Sequence, residues 1–499
     1  MRYYASQTAA WCGTALLVLL AGCTTVTTHN DSDSLLRGYE DAVLKSRTTS
    51  DVLEVPAEES ELLELAALNN PSLKGAFLDW KAALEKIPQV KALPDPMFTF
   101  KYFVREVETR VGPQDYSLGI AQKFPWLGKL KLRGDKAFFM SEAKRERFEA
   151  MKLTVFYEVR VAFWGLYYLS QSIKMTEENL ELLQYLEEVT RTRYETALGS
   201  HSGIIRVQTE LGKLEDRLKS LRDMRGPATA KLNALLNRPP DAPIGSLEAA
   251  EPQTTITNDA QIIELVMQRN PELKRLKREV EAEEAGILLA LKDSLPDITL
   301  GLQYINTDSA RRMSKPDFNT PFVQMSAFRT LTGVANIVDA SNLWRTQLRP
   351  ERTGDSGKDP IALTLSMNMP IWRDKYRAAE REARMRTRSA EFNFLNRINM
   401  LMVETSEALF DFHDAERKID LYRDTLIPKA DESLKATETA YRGGQSGFLD
   451  LIDAQRILLD FQLSYEKARA DYATSLARLE MLAGGTLGAS AEKRRGDDE

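Results

Sequence analysis

Few side chains in this sequence are placed to do covalent chemistry. The three histidines, His29, His201 and His413, lie far apart, and none sits in the His-Glu-x-x-His spacing, or a relative of it, that would hold a metal. Gly354-Asp355-Ser356-Gly357-Lys358 looks superficially like a phosphate-binding loop. It has two residues between its glycines where that loop needs four, and Asp359 follows where a Ser or Thr hydroxyl is required. Both cysteines, Cys12 and Cys23, fall within the first 23 residues, which leaves no disulfide framework, zinc cluster or cysteine nucleophile for the rest of the chain. Two carboxylates stand out by position. Asp450 and Asp453 follow the glycine turn Gly443-Gly444, in the first turns of an expected helix, where an acid is favoured by the helix dipole. The pattern speaks against an enzyme and calls for no cofactor and no metal.

The one modification the sequence invites is at Cys23. Met1–Gly22 carries a basic residue near its start, Arg2, and then an apolar stretch too short to span a membrane as a finished helix. It ends in Leu20-Ala21-Gly22-Cys23, which resembles the bacterial lipobox. That resemblance implies a signal peptide over 1–22, cleavage before Cys23, and acyl chains, palmitate among them, on the cysteine. Thr24 in place of Asp favours sorting to the outer membrane. Two or three acyl chains anchor stably where one would not.

The elements that would position any site must come from the remaining chain. It is 499 residues long, 43% hydrophobic and 28% charged, which is globular and not disordered. Beyond the signal there is no apolar run of membrane-helix length. The net charge is −6 with basic and acidic residues interspersed, so no nucleic-acid footprint is present. The fifteen methionines include Met313, Met325, Met367 and Met369; the last two lie on an apolar strand face, where lipid contact explains them better than copper or silver binding.

Internal repetition organises the body of the sequence. LLELAALNNPSLK at 62–74 aligns without gaps on IIELVMQRNPELK at 262–274, an offset of 200. Leu93-Pro94-Asp95 recurs as Leu295-Pro296-Asp297, offset 202, and Phe124-Pro125-Trp126 as Met369-Pro370-Ile371, offset 245. Tyr194 to Gln208 matches Tyr441 to Gln455, offset 247. The chain is therefore a tandem duplication with one large insertion in the second copy. The boundaries read as an N-terminal extension 23–54, a first copy 55–238, a linker 239–259, a second copy 260–484 with the insertion at 306–359, and a tail 485–499.

Each copy reads helix, strand, loop, strand, very long helix, sharp turn, helix. The strand pairs are expected at 97–104 with 116–124 and at 298–305 with 361–369, each alternating apolar and polar residues with the period of a strand. The long helices are expected from Trp126 to the turn near Gly199, ~110 Å at 1.5 Å per residue, and from Lys375 to Gly443 with Pro428 as a kink. Four strands cannot close a barrel, whose smallest form has about eight. An open four-stranded sheet with one greasy face would keep two bare edges and an exposed apolar patch. Three chains around an axis would supply twelve strands and remove both.

Duplication, strand pairs, long proline-free helices and lipobox together resemble the TolC-like outer membrane factor family of efflux channels. The most specific piece is Tyr441-x-x-Gly444-x-x-Gly447-x-x-Asp450-Leu-Ile-Asp453-Ala-Gln455, similar to the family's hairpin-tip pattern with Gly447 in place of Ser. The first copy keeps the spacing from Tyr194 to Gln208 but lacks the Gly and the Asp. The resemblance implies a mixed α+β membrane protein: a homotrimer whose twelve-stranded β-barrel sits in the outer membrane of a Gram-negative bacterium and continues as a long α-helical periplasmic tunnel. It implies outer-membrane lipid, a periplasmic adaptor protein and an inner-membrane pump as partners, and passive conduction of exported drugs, toxic compounds or metal ions. It also implies that Asp450 and Asp453 line a periplasmic gate, where six like charges around one axis would couple and attract cations. Ala197, Gly199, Ser200, Gly443, Gly444, Ser446 and Gly447 would form hairpin tips that meet the adaptor, and Tyr194 and Tyr441 would pack those tips. Ser446 stands where some members have an Arg, and Gly203 where the first hairpin usually offers an Asp to Tyr441; a lock from those positions is not expected, and packing would hold the closed tip. Trp126, Trp344, Trp372 and Tyr116 are candidates for an interfacial aromatic girdle, and 306–359 for an extracellular loop. The alternative is a structural periplasmic coiled-coil lipoprotein, which would have no use for four amphipathic strands.

Overall fold

The computed structural model describes residues 58–109, 111–196, 201–247, 258–309, 355 and 357–487. Cys23, the tip residues Ala197, Gly199 and Ser200, Trp344 and most of the 306–359 insertion lie outside the described residues. Each copy opens on a broken helix: α1 (Glu59–Asn69) and α2 (Pro71–Lys91) in the first, α5 (Asp259–Arg269) and α6 (Pro271–Asp293) in the second. The break has a local cause, because a residue before proline is pushed out of helical geometry while proline itself suits a first helical position. Asn70 and Asn270 occupy the break with ψ near 120°. Asn70 Oδ1 accepts the Ser72 and Leu73 N–H groups, and its Nδ2 donates to the Leu235 carbonyl at 2.9 Å. Asn270 repeats this, accepting from Leu273 and donating to Leu482 at 2.9 Å. One buried amide thus caps a helix start and ties it to the last helix of the same copy.

The long helices are α3 (Lys129–Glu195) and α4 (His201–Leu235) in the first copy, α7 (Arg373–Leu421), α8 (Ile427–Arg442) and α9 (Phe448–Ala483) in the second. α3 starts three residues later than expected and is unbroken for 67 residues. The second copy departs from expectation at its break. Pro428 lies in the first turn of α8, and the irregularity falls just upstream as a π-helical turn, Tyr422–Leu426, in which the Ile427 N–H bonds to the Tyr422 carbonyl. Proline cannot donate and crowds the preceding turn, and the wider turn accommodates it.

The chain divides into two compact units, each drawing on both copies: one from Met1–Pro88, Lys136–Glu283 and Met385–Glu499, the other from Gln89–Asp135 and Glu284–Arg384. The helical unit packs Leu62 and Ala66 of α1 against Val159, Phe163, Leu232 and Leu236. Ile262 and Val266, their repeat counterparts on α5, pack against Leu401, Phe412 and Leu479. His413 belongs to this unit as a surface tie. Its Nε2 lies 2.9 Å from Asp259, and that hydrogen bond, with Glu416 nearby, raises its pKa above the usual histidine value.

The other unit holds an antiparallel meander in the order β1-β2-β3-β4. β1 (Met97–Thr109) and β2 (Gly112–Phe124) are longer than expected and pair as far as Thr109 with Gly112, within the expected loop 105–115. β3 (Ile298–Thr307) runs two residues further than expected, and β4 (Ile361–Met367) stops two residues sooner. Among the described residues no helix is long and apolar enough to cross a membrane.

Candidate functional sites: a bare sheet face and a hairpin tip

The strand register sorts the sheet into two unlike faces. Phe98, Ile120, Leu302 and Leu363 form one row across all four strands, and Phe100, Leu118, Tyr304 and Ile361 form the next. All of these side chains but the half-buried Tyr304 are exposed in the chain, up to 81% for Leu363, with Val104 near the far end at 91%. The opposite face carries Thr99, Gly119, Gln303 and Ala362 in one row and Lys101 and Ser117 in another, with Gln303 donating to Ser117 Oγ at 3.2 Å. A greasy face of this extent is not left in water by a chain acting alone. β1 and β4 also end the sheet, each with one side unpaired within it. Met97, Phe124, Ile298 and Met367 share the end of the sheet where the chain enters from α2 and α6 and leaves into α3 and α7, so the roots of the 306–359 segment, Thr307 and Ile361, lie at the opposite end. Of the girdle candidates at the helix end, Trp372 is 74% exposed and Trp126 half-buried.

Where β2 turns into α3, the two copies are joined by a buried ion pair. Lys129 Nζ lies 2.8 Å from Asp297 Oδ1 and donates to the Leu295 carbonyl at 2.9 Å. Asp297 also accepts the Trp126 N–H and pairs with Lys123 at 3.0 Å. Burial alone would push this carboxyl up; the hydrogen bonds from Lys129, the Trp126 N–H and Lys123 outweigh it and hold the pKa at about 2. In the sequence Asp297 stands out only as a repeat landmark, and nothing singles out Lys129.

The α8–α9 tip is built from the residues of the tip pattern. Gly444 has φ of +77°, a left-handed conformation that a side chain would strain, and the Gln445 N–H returns to the Ala440 carbonyl at 2.8 Å. Gly447 caps α9, and Asp450 three positions on accepts the Gly447 N–H and the Ser446 hydroxyl, both at 2.9 Å. Asp453 is exposed and lies 3.9 Å from Arg456. Within one chain the two carboxylates therefore have separate partners, and the capping role of Asp450 is explicit.

Tyr441 is buried against Phe448, Leu186 and Leu451. The Thr190 hydroxyl donates to Leu186, so it accepts from the Tyr441 hydroxyl at 3.2 Å. The Arg193 guanidinium sits 4.6 Å from the Tyr441 ring centre and donates to its carbonyl. Buried Gln455 donates to Asn179 Oδ1 at 2.7 Å. Within one chain, polar side chains of α3 thus hold this tip beside its packed apolar residues. Tyr194, 45% exposed, packs against His201 across the first hairpin. Thr190, Arg193 and Asn179 were missed because nothing in a charged, long helix marks which exposed-looking residues a second hairpin will cover.

Comparison with known proteins agrees with this geometry. A family model described as outer membrane efflux protein matches residues 62–238 and 262–485. Solved structures share the fold: the outer-membrane channel OprN (TM-score 0.67, 16% identity, covering 86% of this chain and 90% of that one) and the outer membrane protein VceC of Vibrio cholerae (0.64, 17%, 86% and 96%). The MtrE outer membrane channel of Neisseria gonorrhoeae, in its open state, is similar at 0.63 and 17%, covering 86% and 89%. No curated protein sequence matches the chain.

Proposed function

Because the chain belongs to the outer membrane efflux protein family, we propose that it is the outer-membrane channel of a tripartite efflux system. In this reading three copies join their four-stranded sheets into one twelve-stranded barrel in the outer membrane, with the helical units forming a periplasmic tunnel. An inner-membrane pump and a periplasmic adaptor deliver small molecules to it, the adaptor meeting the hairpin tips at Gly443, Gly444, Ser446 and Gly447. The observation that carries the reading is the exposed apolar face running through all four strands of a sheet with two open edges. Such a face is satisfied by lipid outside a closed barrel, while the row of Thr99, Gly119 and Gln303 lines water inside.

Six carboxylates from Asp450 and Asp453 would gather near the axis at the periplasmic end and favour cations. The test is single-channel recording of the purified protein in planar bilayers. Wild type is expected to pass a cation-preferring current that divalent ions block. Asp450→Asn/Asp453→Asn is expected to lose several-fold in cation preference and most of the block. The amide oxygen that Asp450→Asn introduces would still accept the Gly447 N–H, so the helix cap survives. Absence of any wild-type current contradicts the channel, and unchanged selectivity in the variant leaves the two acids only a structural role.

Acylation of Cys23 is the secondary anchor in this proposal, since the barrel itself holds the protein in lipid. Radioactive palmitate should label wild type and not Cys23→Ser, with assembled protein persisting in the variant at reduced membrane retention. Equal labelling of the two would refute the lipidation.

A further inference from the structure

The polar face of the sheet carries charge of one sign. Along the regular part of the register, the charged residues described on that face are Lys101 and Lys123, and no acid stands among them. Lys123 is compensated, with Asp297 3.0 Å away at the helix end of the sheet. Lys101, deeper in the sheet, is exposed and sits beside Ser117. Gln303 donates to Ser117 Oγ at 3.2 Å, so these neutral groups satisfy one another and supply no counter-charge. Lys101 lines an open depression with Gly119, Gly301, Gln303 and Thr364, and the two glycines present no side chain to cover the ammonium.

The duplication gives the number and level of these charges in an assembly. The offset of 202 set by Leu93-Pro94-Asp95 carries Lys101 to Gln303, and the offset of 245 set by Phe124-Pro125-Trp126 carries Ser117 to Ala362. Gln303 pairs with Ala362 in the second hairpin as Lys101 pairs with Ser117 in the first, so the two positions are equivalent. Three chains would therefore set three lysines, alternating with three neutral glutamines, in one ring, at the level where the exposed Phe100 and Tyr102 face outward. We propose that Lys101 sets the charge preference of the barrel: its ring favours anions, so exported molecules bearing a carboxylate, sulfonate or phosphate group pass this stretch more readily than cations of like size. A ring of one sign within a low-dielectric wall concentrates ions of the other. This rests on the barrel reading above and adds the class of molecule that the barrel wall admits. The sign is opposite to that of Asp450 and Asp453, so the two ends of the conduit would act against each other.

Single-channel recording across a KCl gradient tests it, with Lys101→Gln and Lys101→Glu made both in the wild type and in Asp450→Asn/Asp453→Asn. Lys101→Glu is expected to raise the potassium-over-chloride permeability ratio about two-fold or more in either background, and Lys101→Gln to raise it by less. The Debye length is about 30 Å at 0.01 M salt and about 3 Å at 1 M, so the shift should be largest in dilute salt and fade at 1 M. Lys101→Cys, assembled first and then treated with an anionic thiosulfonate reagent, should repeat the Lys101→Glu shift in a channel already folded, while the wild type does not respond. A conducting channel whose ratio is indifferent to the charge at position 101 overturns the inference and leaves the channel standing. Absence of current from the wild type overturns the channel reading itself.

Discussion

Leu363→Arg/Leu365→Arg is expected to remove assembled protein from the outer membrane, while Thr364→Lys, on the residue between them, leaves it in place. The three positions are consecutive in β4, and alternation sends their side chains to opposite faces of the sheet. Leu363 and Leu365 are 81% and 71% exposed on the apolar face. An arginine facing lipid near the bilayer midplane costs about 2–4 kcal/mol, so the pair costs roughly 4–8 kcal/mol per chain, which three-fold assembly multiplies. Thr364 shares the other face with Gly301, its neighbour in β3, where a lysine reaches water. The measurement is heat-modifiable trimer in outer-membrane fractions. A Leu363→Arg/Leu365→Arg protein that assembles at wild-type levels would show that this face meets something other than lipid.

Asp297→Ala is expected to be the most destabilising change outside the strands. It removes three partners at once and leaves Lys129, whose side chain is 3% exposed, with only a carbonyl and the more distant Asp293 at 3.7 Å. Stranding a buried charge in this way costs about 3–5 kcal/mol. The folded-state pKa of Asp297 is depressed to about 2 from an ordinary 3.8. Its contribution is therefore fully present above the ordinary carboxylate range and fades as pH falls through the folded value. The difference between wild type and Asp297→Ala in thermal unfolding of the detergent-solubilised protein should be flat from neutral pH to about 5 and shrink below about 4. A difference that grows in acid would mean that Asp297 is not the charged partner. Asp297→Asn, which can still accept the Trp126 N–H, should lose less than Asp297→Ala.

The parts of this molecule that repeat were legible in its sequence, and the parts that depend on contact between repeats were not. Strand existence and face assignment follow from alternation, which the register reproduces from Phe98 to Tyr102 and from Ile298 to Tyr304. The outer reaches of the first hairpin were lost because β1 slips register between Tyr102 and Val107, and a bulge breaks the period of two that the eye relies on. The Asn-Pro breaks at Asn70 and Asn270 fall within the aligned repeat segments, yet their second bond, to a helix end more than 150 residues away, has no local signature. At the tip, spacing identified Tyr441, Gly444 and Asp450, but not the polar partners of Tyr441. What Tyr441 meets is Thr190 and Arg193, chosen by how the hairpins lie together and not by the repeat.

The π-helical turn at Tyr422–Leu426 makes the two copies mechanically unequal. The repeat offset grows from 245 at the strand end to 247 at the tip, so the second copy carries two extra residues along its long helix. A turn closed by i→i+5 bonds holds about one residue more than an α turn, which takes up part of that excess without lengthening the rod. It also leaves a joint, followed at once by a proline that cannot donate a backbone bond. α8 extends 16 residues beyond it, a lever arm of ~24 Å, and a bend of ~10° at the joint swings the Gly443-Gly444 turn by ~4 Å. The first copy's α3 runs 67 residues without such a turn. Each chain thus brings to its two hairpin tips one helix that is regular throughout and one that is interrupted by a wider turn.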